Sequence, residues 1–579
     1  MTTPGRQWWK EGVAYQVWPA SYKDSNGDGL GDIQGVISTL DYLKDLGVDY
    51  MWLSPMYDSP QDDMGYDIRN YEEVDARYGT LEDMDALIKG LHDRGMRIIL
   101  DLVVNHTSNQ HRWFQQSAQS RDNEYSDYYI WRDPKIVDGQ RQPPNNWGSI
   151  FGGSGWEYVE SRDQYYLHLF LPSMPDLNWH NRTTRQAIYK SAIKFWLDRG
   201  VDGFRVDTVG LYCKNPEFPD APVKDSTATY HFPAKADIMN GPQMHGWLQE
   251  QRREALDPYG DIVLVGELGY TEWEEIHKYI NPVTREIDMA FDMDVVNPSG
   301  DFGKGEGGKT HNLVTMREGL EMPQKAISEH GFWSPVFLEN HDQARSLPRW
   351  GSKKPEYRSQ SGKLLAFLIS TLSGTLFLYQ GQEIGMSDIP RDWPLSELKD
   401  NWWLSYIAEE AKKHPGDEAA KQKAIEAFYI GGRDHSRTPI QWSSEKPYAG
   451  FSTVKPWMRV NENFAEGVNV AEQEKDHDSL LNYWKKCLAF RKSHATSLIY
   501  GATEFLDKEN TKVLSYFKRY SEANSDQKML FVLNFSDDVQ PIPVPENLTV
   551  EDLGSPIFGT SLSKEIKNLA PWEGRLYQL

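Results

Sequence analysis

The chain has 579 residues, and its 62 Lys and Arg against 85 Asp and Glu give a formal net charge of −23. That field excludes nucleic acid and anionic membrane surfaces as partners, because both require a local excess of cations and no basic run supplies one. An apolar fraction of 39% with 45 glycines is that of a soluble globular chain, and at about 150 residues per domain, allowing for barrels that exceed this, the length predicts two or three domains.

Eight short β-branched or aromatic runs alternate with amphipathic segments: Val13 to Trp18, Tyr50 to Leu53, Arg97 to Val103, Gly203 to Val206, Ile262 to Val265, Met289 to Asp292, Ser334 to Leu338 and Thr375 to Tyr379. Between them, Gly35 to Leu46, Leu81 to Arg94 and Arg185 to Arg199 read as helices stopped by Gly47, Gly95 and Gly200. The alternation predicts an α/β chain folded as a (β/α)8 barrel. A doubly wound open sheet is disfavoured, since no glycine-rich phosphate fingerprint follows the first strand.

A long segment rich in Trp, Tyr, Asn, Gly and Pro separates the third run from the fourth, which predicts an inserted domain. The expected organisation is therefore barrel at 1–106, insertion at 107–174, barrel again at 175–499 with a subdomain around 380–450, and a C-terminal all-β domain at 500–579. Alternating runs at Val513 to Phe517, Leu530 to Asn534 and Gly574 to Gln578 define the last.

Cys213 and Cys487 stand far apart and outside metal-ligand spacing, so neither a disulfide framework nor zinc is expected. The opening residues lack a charged leader followed by an apolar core. The apolar stretch from Leu364 to Tyr379 is too short and too interrupted to cross a bilayer. A cytoplasmic, monomeric protein with no membrane partner is the expectation.

In such a barrel the site gathers where the strands end. There the sequence places Asn105 and His106, Arg205 and Asp207, Glu267, and Asn340, His341 and Asp342. Two carboxylates flanking a bond, with a third nearby, suit glycoside cleavage through an oxocarbenium-like transition state. An adjacent guanidinium favours the anion a nucleophile needs, while the apolar lead-in Val265-Gly266 would let Glu267 keep its proton.

The stretches Asp101-Leu102-Val103-Val104-Asn105-His106, Gly203-Phe204-Arg205-Val206-Asp207, Val265-Gly266-Glu267 and Glu339-Asn340-His341-Asp342 resemble the four ordered signatures of the α-amylase superfamily, glycoside hydrolase family 13. The tail Pro571-Trp572-Glu573-Gly574-Arg575 is similar to that of yeast maltases, so the resemblance spans essentially the whole chain. It implies a retaining α-glucosidase with Asp207 as nucleophile, Glu267 as general acid/base and Asp342 as a third carboxylate on the sugar hydroxyls. It also implies sugar contacts from His106 and His341, an orienting role for Arg205, and a grip on the 4- or 6-hydroxyl by Asp67. Tyr66 would close the pocket floor and make the enzyme exo-acting on α-glucoside di- and oligosaccharides. Phe151 and Phe170 are candidates for stacking on sugar faces, and Arg437 resembles a position that reaches back into the pocket.

Thr208, directly after the nucleophile, resembles the maltose-type branch rather than the Val of α-1,6 enzymes. Met174-Pro175-Asp176-Leu177-Asn178 lacks the Gln that opens this signature in oligo-1,6-glucosidases, and Leu268-Gly269-Tyr270 lacks the Gln-His pair of isomaltases. Asp24-Ser25-Asn26-Gly27-Asp28-Gly29-Leu30-Gly31-Asp32 has oxygen donors at positions 1, 3, 5 and 9 of a calcium-type loop, without the bidentate Glu at position 12. A structural Ca2+ held by Asp24, Asn26, Asp28, the Leu30 carbonyl and Asp32 is expected, against the alternative of a plain turn-rich loop. No organic cofactor is implied.

Three other functions compete. An isomaltase shares the fold, as does a transglycosylating sucrose isomerase, but the isomerase Arg-Leu-Asp-Arg-Asp run is replaced by Arg345-Ser346-Leu347-Pro348-Arg349. A transporter heavy chain would carry a membrane span and lose the carboxylates that this chain retains.

Overall fold

The computed structural model describes residues 6–226, 228–269, 271–297, 311–522, 525–545, 548–561 and 567–579. All eight expected runs form parallel strands: β1 (Val13–Val17), β2 (Tyr50–Leu53), β3 (Arg97–Leu102), β4 (Gly203–Val206), β5 (Val263–Glu267), β6 (Met289–Phe291), β7 (Pro335–Val336) and β8 (Thr375–Tyr379). They pair in the order β6-β5-β4-β3-β2-β1-β8-β7. The barrel is thus nearly closed, with a seam between β6 and β7 where, among the described residues, no ladder forms. β7 is two residues long and begins with Pro335, which has no N–H to donate. Strands β1, β2, β4 and β8 are buried along their whole length, which is why they read as continuous apolar runs rather than alternating ones.

Two helical expectations are corrected in detail. Gly35 to Leu46 is two helices, Ile33–Ile37 and Leu40–Leu46, the first capped by the Asp32 side chain on the Gly35 N–H. The segment expected from Arg185 starts at Arg182, after an Asn181 cap, and runs through a π-helical stretch at Tyr189–Lys194. Leu81–Asp93 forms as expected, with Thr80 and Asp83 in a reciprocal capping box.

Within the inserted segment, Trp131–Arg132, Gln164–Leu167 and Trp156–Val159 make a three-stranded antiparallel sheet. It packs an aromatic core around Trp147 and Trp156, to which the chain after β4 contributes Phe218. After β8, helices Asn401–Lys413 and Glu418–Gly431 lean back over the strand ends, and Asn401 donates to the Asp62 carbonyl at 3.0 Å. The C-terminal chain forms a five-stranded sheet containing Val513–Glu522, Ser525–Asn534 and Gly574–Gln578. Among the described residues no helix is long and apolar enough to cross a membrane.

Candidate active site

One cavity of about 1690 Å3 opens at the C-terminal ends of the strands, and its wall includes Asp63, Tyr66, His106, Phe151, Phe170, Asp207, Thr208, Glu267, Asp342 and Arg433. The centre is organised by Arg205, which projects from β4 and is almost wholly buried. Its Nη1 donates to Asp101 Oδ1 and Asp207 Oδ1, each at 2.6 Å, and its Nη2 donates to Glu267 Oε2 at 2.7 Å. Asp101 is held in turn by the Trp52 indole at 2.7 Å. One cation therefore fixes the orientation of three carboxylates carried by β3, β4 and β5.

The charge balance differs from the sequence expectation. Arg205 favours the Asp207 anion, as the sequence leads one to expect, but it is not the largest influence. Burial instead pushes its carboxyl up to about 6, Arg205 offsets only part of that, and the charges of Asp101 and Asp342 add to the rise. Glu267 is raised as well, by burial first and then by Asp207 and Asp342, against the pull of Arg205. The physical reason is that burial penalises the charged form of both carboxyls, and the one guanidinium that opposes this is divided among three acids.

Thr208 couples the two carboxylates. Its N–H donates to Glu267 Oε2 at 3.1 Å and its Oγ1 to Asp207 Oδ2 at 3.2 Å. To do so it adopts φ 39° and ψ 40°, a left-handed conformation that a β-branched residue takes only under strain.

Across the cavity, Asp342 Oδ1 accepts from Arg437 Nη2 at 2.8 Å, and Asp342 Oδ2 pairs with His341 Nε2 at 2.9 Å. Burial alone would raise this carboxyl, but His341, Arg437 and Arg433 hold it well below the ordinary range. Gln16 Nε2 donates to His341 Nδ1 at 2.8 Å, which leaves the His341 proton on Nε2, facing Asp342 and the Tyr66 hydroxyl at 2.6 Å. Tyr66 stacks on that imidazole with centroids 5.4 Å apart, and Trp18 covers it at the same distance. The Arg437 guanidinium lies 4.7 Å above Trp18. His106 turns Nε2 to the Tyr66 carbonyl at 3.1 Å and packs against Phe170, with Asn105 and Lys214 behind it. Phe151 meets Phe170 at 6.0 Å and lies under Arg433.

Asp67 lies in the loop that carries Tyr66. It is fully buried, and its carboxylate accepts from Ser59 Oγ and from the Asp62 and Asp63 amides, which holds the turn. The carboxylate this loop presents to the cavity is Asp63, 3.6 Å from Arg433. Sequence reading passed over both. Arg433 lies four residues before Arg437, a spacing that puts two side chains on one helical face and was the available signal. Tyr270, flagged in the sequence, lies outside the described residues.

In the Asp24–Asp32 loop, Asp24 accepts from the Gly27 and Gly29 amides, Asn26 from Asp28, Asp28 from Leu30, and Asp32 from Ser25 and Gly35. Among the described residues, no three His, Cys, Asp or Glu side chains group closely enough to hold a metal. The loop nevertheless offers only hard oxygens, with lone pairs beyond those given to the amides, which is the donor chemistry of Ca2+.

An eight-stranded barrel with carboxylates on β4 and β5 and a third after β7 is the architecture of a glycoside hydrolase. The α-amylase catalytic-domain family model matches residues 16–501, and the chain belongs to that family. It is 47% identical over 577 residues to an α-glucosidase of Candida albicans, covering 99% of both chains. It is 42% identical over 584 residues to oligo-1,6-glucosidase IMA2 of Saccharomyces cerevisiae, covering 99% of this chain and 98% of that one. Among solved structures, isomaltulose synthase from Erwinia rhapontici NX5 matches with a TM-score of 0.90 at 36% identity, over 100% of both chains.

Proposed function

We propose that the chain is an exo-acting, retaining α-glucosidase that releases terminal glucose from maltose and short malto-oligosaccharides, with sucrose and isomaltose as further substrates. The observation that carries this reading is the Arg205 fork, which presents Asp207 and Glu267 side by side to one cavity. Two carboxylates on neighbouring nitrogens of one guanidinium favour the closer spacing of retaining enzymes, roughly 5–5.5 Å, over the wider inverting one.

Asp207 attacks the anomeric carbon as the bond to the aglycone oxygen breaks, and Glu267 gives its proton to that oxygen. Glu267, now ionised, takes a proton from water, which displaces Asp207 and yields α-glucose. Asp342, His341, Arg437, Asp63 and Tyr66 bind the terminal sugar, and the ion-paired, stacked inner end supports exo action. Glucose release from maltose, isomaltose and sucrose, with Asp207→Ala as control, tests the reading.

An isomerase is the second reading, favoured by the likeness to isomaltulose synthase. On sucrose a hydrolase gives glucose and fructose, whereas an isomerase gives a rearranged disaccharide. The absence of the isomerase run near Arg345 supports hydrolysis.

The Asp24–Asp32 loop is the site for Ca2+, through Asp24, Asn26, Asp28, the Leu30 carbonyl and Asp32. Bound there, the ion would fasten a loop that also touches Ser452 and Trp457. Chelation should lower Tm by several degrees and added Ca2+ should restore it, whereas in Asp28→Ala neither treatment should move Tm. A cytoplasmic monomer acting on imported sugar completes the proposal.

A further inference from the structure

A second, shallower groove of about 610 Å3 lies outside the catalytic cavity, within the size range of small-molecule sites, about 300–1,000 Å3. Three parts of the chain meet in it: the loop after β2 at Gln61 and Asp62, the inserted segment at Asn109 and Glu157, and helix Asn401–Lys413 at its first residue. Two stretches of chain line both spaces. Asp63 lines the catalytic cavity while Gln61 and Asp62 line the groove, and Phe170 and Met174 line the cavity while the residues between them, Leu171 to Ser173, line the groove. The groove therefore backs onto the wall that carries Asp63 and Phe170. Backbone and amide contacts fix that wall: the Asn109 N–H donates to the Ser173 carbonyl at 2.7 Å, and Asn401 Nδ2 to the Asp62 carbonyl at 3.0 Å.

The lining carries one sign of charge but both kinds of hydrogen-bonding group. Asp62 and Glu157 are exposed carboxylates, and no Lys, Arg or His lines the groove. Among the described residues, neither carboxylate side chain, nor that of Asn109, has a hydrogen bond or ion pair within the chain. Gln61 gives its Nε2 to Asp75 at 3.2 Å and Asn401 its Nδ2 to Asp62, so both keep an amide oxygen for a ligand. Glu157 stands opposite Tyr166 in the sheet register, which puts both side chains on one face. The Tyr166 hydroxyl donates to the Pro172 carbonyl at 2.6 Å, so ring and proline lie together as an apolar surface.

Carboxylates with no cation among them repel an anion. An ammonium group would pair with them but could not accept from the Asn109 amide. A neutral sugar does both, because each hydroxyl donates to a carboxylate or amide oxygen and accepts from an amide N–H, while its C–H face rests on Tyr166, Leu171 and Pro172.

We propose that this groove is a second saccharide-binding site, separate from the catalytic cavity and specific for a neutral disaccharide. It goes beyond the α-glucosidase reading, which assigns one cavity only. A sugar held there ties the loop after β2, the inserted segment and the helix over the strand ends together, and supports from behind the stretches that carry Asp63 and Phe170.

The test is a calorimetric titration of maltose into Asp207→Ala, which cannot turn the sugar over, alone and combined with Glu157→Leu or Asn109→Leu. Two sites per chain are expected. Each groove substitution should weaken one of them about tenfold or more and leave the other unchanged, as loss of a ligand hydrogen bond implies. Glu157 is exposed on a strand, so its replacement tests the site even if Asn109→Leu folds poorly. Two sites that both survive the substitutions, or a single site that neither substitution alters, would overturn the inference and leave the α-glucosidase reading intact. A single site lost on groove substitution would uphold the inference and count against that reading, and no binding at all would overturn both.

Discussion

At the inner end of the cavity His341, Asp342, Tyr66 and Arg437 all have polar partners, and Trp18, Tyr66 and His341 form one aromatic cluster. Past Glu267 the wall is built differently. Leu268, Met239 and Met293 give it an apolar face, and Phe232 and Ile430 on the rim are 50% and 54% exposed. A satisfied, low-dielectric network is rigid and fixes one geometry, which suits an end that must recognise a single sugar. An apolar wall with an exposed rim constrains a bound molecule less than the polar network at the inner end does. Arg205 lies at the boundary between these two halves of one cavity.

The largest effect should come at that boundary. Asp207→Ala removes the nucleophile and should lower kcat/KM for maltose by at least about 10^4-fold with an unaltered circular dichroism spectrum. Glu267→Gln should cost about 10^2- to 10^4-fold, more for maltose than for an aryl glucoside whose leaving group needs no proton. Near-full activity in either variant would break the comparison.

The inner end is sharpened by the pair Asp63 and Asp67. Asp63→Ala should reduce kcat/KM by about 100-fold, since it leaves Arg433 without one of its acids beside the sugar. Asp67→Ala should chiefly lower Tm, because it removes the acceptor for two turn amides and a hydroxyl. The opposite pattern would return the sugar contact to Asp67.

The acid limb of kcat/KM tests the electrostatics. Asp207 must be ionised to attack, and its carboxyl is raised to about 6, so activity should fall as pH drops through about 6. Asp101→Asn removes one of the charges that raise it and frees more of Arg205, so the limb should move to lower pH. A limb fixed near the ordinary Asp value would contradict the shared-guanidinium account. Smallest of all, Thr208→Val should shift the maltose-to-isomaltose ratio by about tenfold toward isomaltose.

Much of the fold is legible in the sequence. The eight strands could be read because each is a short buried run bounded by turn residues, and the residues just past their ends are the ones that meet at the cavity. Less legible was anything set by tertiary distance. Arg433 arrives from just before the short helix Asp434–Arg437, some 370 residues beyond Asp63 in sequence, and the placement of Asp63 and Asp67 depends on a turn with positive φ at Gln61 and Met64. The raised Asp207 carboxyl was missed for a related reason. The sequence showed an adjacent Arg but not that Asp101 and Glu267 would share it.

The most direct measurement is the anomer of glucose formed in the first minutes of maltose hydrolysis, followed by proton NMR before mutarotation. Asp207 and Glu267 acting as nucleophile and acid/base release α-glucose from the non-reducing end. β-Glucose as the first product, or no glucose at all, would contradict the account.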